Sequence, residues 1–147
     1  MEMREARHDD AAALAVLSGE LGYPTTTAQS ESRLRAILDS PGDLVLVACA
    51  SDGRVCGWIH AFVAHRLEAD PFAELGGFVV AERDRGRGVG LRLLAAAEDW
   101  ARARGVTTLR IRSRTGRVET RGFYERRGYA VTKTQNVFER TLADRHD

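Results

Sequence analysis

The first apolar pattern in the chain has the spacing of a helix. The apolar positions recur every three or four residues, at Leu14, Leu17 and Leu21. Asp9 stands where an N-cap is expected, and Gly22 stands where such a helix would end. Thr26 and Gln29 have the spacing of a capping box, which predicts the start of a second helix. The inward face of that helix would carry Leu34, Ile37 and Leu38.

Strand-like patterns account for the rest of the first half. Runs rich in apolar and β-branched residues predict four strands, at 3–7 before the first helix and then at 43–50, 54–67 and 72–80. Asp52-Gly53 is a hairpin turn signal between the second and third of them. Gly76 and Gly77 interrupt the fourth strand. They predict either a bulge or a place where another group approaches the backbone.

The second half of the chain alternates between helix and strand patterns. Its elements in order are a helix near 88–104, a strand over 107–112, a helix over 118–127 and strands near 129–134 and 136–142. Because a helix connects them, the strands at 72–80 and 107–112 should run parallel. The complete order predicts an α/β (α+β) fold with a mixed, mostly antiparallel central sheet and helices on both faces. Since no linker or repeat interrupts it, residues 1–147 are predicted to form a single domain.

Composition places the chain among globular proteins. Of its 147 residues, 44% are hydrophobic and 29% are charged, and no apolar run approaches the roughly 20 residues of a transmembrane helix. The N-terminus lacks the basic and apolar regions of a secretion signal, which predicts a cytoplasmic protein. Cys49 and Cys56 have no metal-binding spacing, so no metal is expected. The use of 21 Arg and one Lys is typical of a GC-rich bacterial genome.

The net charge of +1 conceals two halves of opposite charge. Residues 1–82 contain 6 Arg and 13 Asp or Glu, a net of −7, whereas residues 83–147 contain 16 Lys or Arg and 8 Asp or Glu, a net of +8. The basic half suits an anionic ligand and the acidic half a cationic one, although solvated faces that bind nothing would have the same charges. No nucleic-acid-binding motif accompanies the arginines. We therefore expect small-molecule ligands, no nucleic acid and no membrane.

A loop rich in glycine and arginine connects the strand at 72–80 to the helix near 88–104. Its glycines are Gly86, Gly88 and Gly90. Glycines let the backbone approach an anion closely, and the free N–H groups at a helix start favour negative charge. The GxxxxGK[ST] pattern is absent, and Leu91 breaks the dinucleotide pattern GxGxxG. The loop therefore predicts an anion site of another kind, with an ordinary surface turn as the alternative.

Two motifs of this half resemble those of the GNAT superfamily of acetyltransferases. Arg85, Gly88 and Gly90 fit its [RQ]xxGx[GA] pattern within GGFVVAERDRGRGVGLRLL, and RGFYERRGYAV resembles its C-terminal motif. The likeness covers nearly the whole chain. It implies an enzyme that moves an acetyl group from acetyl-CoA, its co-substrate, directly to a primary amine while both are bound. It leaves a homodimer open.

The resemblance also implies which residues bind CoA. The loop backbone would hold the pyrophosphate through Arg85, Gly86, Arg87, Gly88, Val89, Gly90 and Leu91. The preceding strand would meet the pantetheine arm and the acetyl carbonyl through Phe78, Val79 and Val80. Many family members carry Asn seven residues before the tyrosine of the C-terminal motif, where this chain has Arg117. Arg117 could instead contact the CoA phosphates or simply face solvent.

Transfer of acetyl to an amine needs a base, a hydrogen-bond donor to the carbonyl oxygen and an acid for the departing thiolate. The predicted donor is the backbone N–H of Phe78, because a bulge just before it would free an amide from the sheet. Tyr124 matches the family's tyrosine and is the predicted acid. A packed aromatic with its hydroxyl bonded elsewhere is the alternative role for Tyr124.

Glu74 is the predicted base, because its spacing resembles that of the base glutamate in the histone-acetylating branch of the family. Four strand residues separate Glu74 from Phe78, roughly 13 Å, so a water relay or a sharp bulge would have to connect them. An ordinary solvated strand glutamate is the alternative. Other candidate bases lie on the adjoining strand and loop, at His60, His65 and Glu68.

The acidic half of the chain bears on the choice of acceptor. The CoA-binding residues of the loop all lie in the basic half, so the acceptor would meet mainly residues 1–82, including the loop at 22–27. We therefore expect a small cationic amine. A non-catalytic acyl-CoA-binding regulatory module is the alternative function, and the presence of both Glu74 and Tyr124 favours the enzyme.

Overall fold

Five strands form one sheet within residues 1–111 of the computed structural model, which describes residues 1–116 and 118–143. The strands are β1 (Glu2–Glu5), β2 (Asp43–Cys49), β3 (Val55–Arg66), β4 (Ala69–Val80) and β5 (Leu109–Arg110). They are hydrogen-bonded in the order β1-β2-β3-β4-β5. All pairs are antiparallel except β4 with β5, which is parallel. The predicted mixed, mostly antiparallel sheet is confirmed.

Three helices cover the two faces of this sheet. They are α1 (Ala11–Glu20), α2 (Thr27–Leu38) and α3 (Val89–Ala103). On one face, Leu14 of α1 and Leu34 of α2 pack with Val45 and Val47 of β2. On the other face, the side chain of Leu93 lies 3.2 Å from where a Cβ on Gly57 would stand. The prediction of helices on both faces is therefore confirmed, and α3 makes the crossover that sets β5 parallel to β4.

Local signals account for most helix and turn boundaries. Thr26 Oγ1 accepts from the backbone N–H of Gln29, and Gln29 Oε1 accepts from that of Thr26, so the predicted capping box is present. Gly53 turns the β2–β3 hairpin at a φ of 87°. The expected N-cap at Asp9 is wrong. The carboxylate that accepts from the backbone, at Arg7, belongs to Asp10, because a 3-10 turn precedes α1.

The second unit of the chain begins at Arg112 and contains helix α4 (Val118–Glu125). Gly128, at a φ of 89°, follows the helix as predicted. The strands expected near 129–134 and 136–142 are absent from the described residues, which carry no strand between 129 and 143. Their apolar side chains are exposed, for example Phe138 at 91%, so no buried face favours strand pairing there. No helix among the described residues is both long and apolar enough to cross a membrane.

Candidate active site

The glycine-rich loop joins β4 to the first turn of α3. Gly88 is the N-cap of α3 and has a φ of 80°, and Gly86 has a φ of 77°. A Cβ at either glycine would meet no atom within 4 Å, so the space beside the backbone is open. The first hydrogen bond of the helix runs from Arg92 N to Gly88 O, at 3.1 Å. The N–H groups of residues 89–91 therefore point out of the helix end, where they can bind an anion.

The start of this loop is held by a partly buried ion pair. Arg54, just after the β2–β3 turn, donates two hydrogen bonds to Asp84, at 2.8 and 3.2 Å. Asp84 is 5% exposed and ends a 3-10 turn directly before Arg85. Hydrogen bonding from the guanidinium lowers the pKa of the Asp84 carboxyl. The Glu20 carboxylate also accepts from the backbone N–H of Glu82, at 3.0 Å, so α1 contributes a second attachment.

Strand β4 extends beyond its pairing with β5 toward this loop. The two strands pair only at Ala73 with Leu109 and at Glu74 with Arg110. The pairs with β5 end at Glu74, and Phe78, Val79 and Val80 lie further along β4. This part of β4 lies between the pairing with β5 and the glycine-rich loop.

A bulge lies in β4, as the two glycines predicted. His60 pairs with Gly77 but the next residue of β3, Ala61, pairs with Leu75, so Gly76 is the additional residue. The rings of β3 explain the glycines. A Cβ on Gly76 would collide with the His60 imidazole, and one on Gly77 would lie 2.5 Å from the Trp58 ring.

The bulge sets which side chains share a face. Opposite residues of an antiparallel pair point to the same side, so Phe62, Glu74 and Asp43 lie in one row across three strands. This row is on the face that carries α1 and α2, because Trp58 of the same side packs against their core cluster. Glu74 is 8% exposed. Two carboxyl groups therefore flank one aromatic ring on this face.

Of the alternative bases, His60 belongs to this face. Its Nε2 lies 2.7 Å from Asp43 Oδ2, and Ser40 Oγ donates to Asp43 Oδ1 at 2.7 Å. His65 is exposed at the far end of β3, and Glu68 is exposed in the turn between β3 and β4. The structure thus groups His60 with Glu74 and separates His65 and Glu68 from them.

Tyr124 lies on α4, in the second unit. Its ring makes edge contacts with Phe123 and Tyr129, at centroid distances of 5.3 and 5.8 Å. Arg127 stacks over Phe123 at 4.0 Å. Burial raises the pKa of the Tyr124 hydroxyl, so the hydroxyl is neutral and able to donate a proton at neutral pH. Arg117, which departs from the family pattern, lies outside the described residues.

Two interactions of the site were not predicted from the sequence. The pairs Arg54–Asp84 and Asp43–His60 join residues that are 30 and 17 positions apart. Neither spacing corresponds to a motif, so no local signal could have identified them. The register of β2, β3 and β4 brings them together.

Comparisons with known proteins agree with this architecture. A sequence model of the acetyltransferase (GNAT) family matches residues 11–129. An aminoglycoside N(6')-acetyltransferase type 1 of Stenotrophomonas maltophilia is 31% identical over 95% of this chain and 93% of its own length. A protein of the same description from Serratia marcescens is 25% identical over 92% of this chain and 95% of its own length.

Solved structures share the fold at lower sequence identity. An aminoglycoside 6'-N-acetyltransferase from Acinetobacter haemolyticus aligns with a TM-score of 0.82 at 20% identity, over 97% of this chain and 99% of that one. A putative acetyltransferase from Agrobacterium tumefaciens aligns with a TM-score of 0.84 at 23% identity, over 95% and 100% of the two chains. At these identities the likeness is one of fold.

Proposed function

Because the chain belongs to the acetyltransferase (GNAT) family, and so is an acetyl-CoA-dependent N-acetyltransferase, we propose that it acetylates a primary amine of a small cationic molecule, with an aminoglycoside as the first candidate. Transfer is direct, with both substrates bound together. Residues 1–147 act as one N-acetyltransferase domain, which is supported by a family match that runs across the boundary at residue 111.

The CoA pyrophosphate binds at the loop before α3. The open space beside Gly86 and Gly88 supports this assignment, because a phosphate oxygen needs a close approach to backbone N–H groups. Exposed arginines of the loop, Arg85 and Arg87, add positive charge. Phe78, Val79 and Val80 lie at the end of β4 that leads into this loop, where they would meet the pantetheine arm.

Two of the proposed reacting groups, Phe78 and Glu74, lie on strand β4, and the third, Tyr124, lies on α4. Bound acetyl-CoA supplies the acetyl group as a thioester. The backbone N–H of Phe78, two residues after the bulge, donates a hydrogen bond to the acyl oxygen as negative charge develops there. Glu74 acts as the base for the ammonium, and Tyr124 donates a proton to the departing sulfur. The raised pKa of Tyr124 keeps its hydroxyl protonated at neutral pH, which a proton donor requires.

The choice of a cationic acceptor is supported mainly by the row of Asp43, Phe62 and Glu74 on one face of the sheet. Two carboxyl groups on either side of an aromatic ring attract a cation and provide an apolar surface for a sugar ring or carbon chain. The net charge of −7 over residues 1–82 acts in the same direction. Both relatives named above act on aminoglycosides, which carry several amines.

The test is a substrate comparison with acetyl-CoA, in which thiol release is measured. An aminoglycoside with a 6'-amine should be acetylated, and its analogue with a 6'-hydroxyl should not react at that position. Matched amines with and without a carboxylate are then compared at low and high salt, since added salt screens charges beyond about 8–10 Å. A carboxylated amine that has the higher kcat/KM at low salt would contradict the preference for a cation.

A further inference from the structure

The hydrogen bonds of His60 fix where its ring carries a proton. An ionised carboxylate only accepts hydrogen bonds, so the 2.7 Å contact of His60 Nε2 with Asp43 requires a hydrogen on Nε2. In the neutral ring the lone pair then belongs to Nδ1. Ser40 bonds the other oxygen of Asp43 and holds the carboxylate in place. The imidazole is therefore oriented with a basic nitrogen directed away from Asp43.

That nitrogen lies at the bulge. Of the atoms around a Cβ built on Gly76, His60 Nδ1 is the nearest. Gly76 is two residues from Phe78, roughly 7 Å along the strand, whereas Glu74 is four residues away, roughly 13 Å. One water with a hydrogen bond of about 2.8 Å on each side spans most of the shorter distance. Measured along β4, the position that His60 Nδ1 contacts is therefore two residues from Phe78, whereas Glu74 is four residues from it.

We propose that His60, oriented by Asp43, accepts the first proton from the acceptor's ammonium at the Gly76 bulge. The inference rests on the proposed function, but it assigns the first proton of the ammonium to His60 instead of Glu74, because His60 Nδ1 lies at the bulge between Glu74 and Phe78. Glu74 lies on the same face and, with Asp43, attracts the cationic acceptor.

The proton balance is complete with these groups. One N–H bond of the ammonium breaks, and its proton goes to the Nδ1 lone pair. The nitrogen lone pair forms the bond to the acyl carbon, the carbon–sulfur bond breaks, and its electron pair stays on sulfur. Sulfur takes a proton from Tyr124, which regains one from the second N–H of the former ammonium through solvent. His60 releases the first proton to solvent.

The central variant is His60→Gln, which keeps an N–H donor for Asp43 but takes up no proton. We expect kcat to fall by about 10²-fold or more, the usual range for a lost general base, with the KM for acetyl-CoA within about twofold of the wild-type value. In His60→Ala, added imidazole should restore part of kcat. A residue that only supports the fold shows no such rescue. Asp43→Asn should lower kcat because it removes the preference for the proton on Nε2.

His65→Gln is the matched control, since it changes a histidine of the same strand that lies away from the bulge. Its kcat should stay at the wild-type value. Wild-type kcat in folded His60→Gln, or no response of His60→Ala to imidazole, would overturn the inference. If neither His60 variant folds, an unchanged kcat in Asp43→Asn would overturn the inference instead. Failure of the proposed function can be told apart from this result. In that case the wild-type protein itself would release no thiol with any cationic amine.

Discussion

Replacing Gly88 by alanine tests the CoA loop with little disturbance of the free protein. The φ of Gly88 is 80°, a conformation that costs an L-residue about 1–2 kcal/mol. No atom lies within 4 Å of the new Cβ, so no steric term adds to that cost. For a chain of this length the melting temperature should fall by about 2–8 °C. The variant should remain folded.

The same methyl group should interfere strongly with CoA. It would occupy the open space in which a phosphate oxygen approaches the N–H groups at the start of α3. We expect the Kd for CoA, measured by calorimetry, to rise at least about tenfold, which corresponds to roughly 1.4 kcal/mol. Gly88→Val should raise it further.

Gly105→Ala supplies a matched control at the other end of α3. Gly105 has a φ of 81°, and a Cβ there also meets no atom within 4 Å. The melting temperature of Gly105→Ala should decrease by the same amount as that of Gly88→Ala, while the affinity of Gly105→Ala for CoA should equal that of the wild-type protein. Equal CoA affinities in the two variants would refute the assignment of the pyrophosphate to this loop.

Three other perturbations address separate parts of the site. Tyr124→Phe should lower kcat by about 10²–10⁴-fold with little change in the KM for acetyl-CoA, and a kcat within about twofold of wild type would leave Tyr124 a packing role. Asp84→Asn breaks the ion pair at the start of the loop and should weaken CoA binding. Asp10→Asn breaks a comparable, partly buried pair with Arg4 and should leave the CoA affinity unchanged. Because the pKa of Asp84 is lowered in the folded protein, the pair stabilises the fold above a pH of about 4, and this contribution is lost as the pH falls further. Gly76→Ala should lower the melting temperature of the wild-type protein but have a smaller effect in His60→Ala, because the ring that the new Cβ strikes is then absent. Equal melting-temperature losses in both backgrounds would contradict the contact.

The features that the sequence predicted correctly are those with a short-range cause. Asp52-Gly53 makes its hairpin, and Thr26 and Gln29 form their capping box, since each depends on neighbours in the chain or, at Gly53, on its own backbone freedom. The parallel orientation of β5 also followed, because a crossover helix imposes it.

The features that were missed depend on distant residues. Residues 129–143 have apolar and β-branched side chains suited to a strand, yet such a propensity produces a strand only where a partner strand and a buried face are available. The partners of Asp84 and His60 depend on strand register, which no spacing along the sequence encodes. Asp9 and Asp10 are both suitable caps, and the 3-10 turn before α1 decides between them.

The additional residue in β4 constrains how this protein can change over time. Over residues 72–75 the even-numbered side chains of β4 point toward α1 and α2, and after Gly76 the odd-numbered ones do. Deletion of that one glycine would exchange the inner and outer faces for every later residue of the strand, so that Val79 would leave the core formed with Leu17. Single substitutions elsewhere in β4 can accumulate one at a time, but loss of the bulge would require several compensating changes at once. Descendants of this chain are therefore expected to keep the length of β4 even where its sequence diverges.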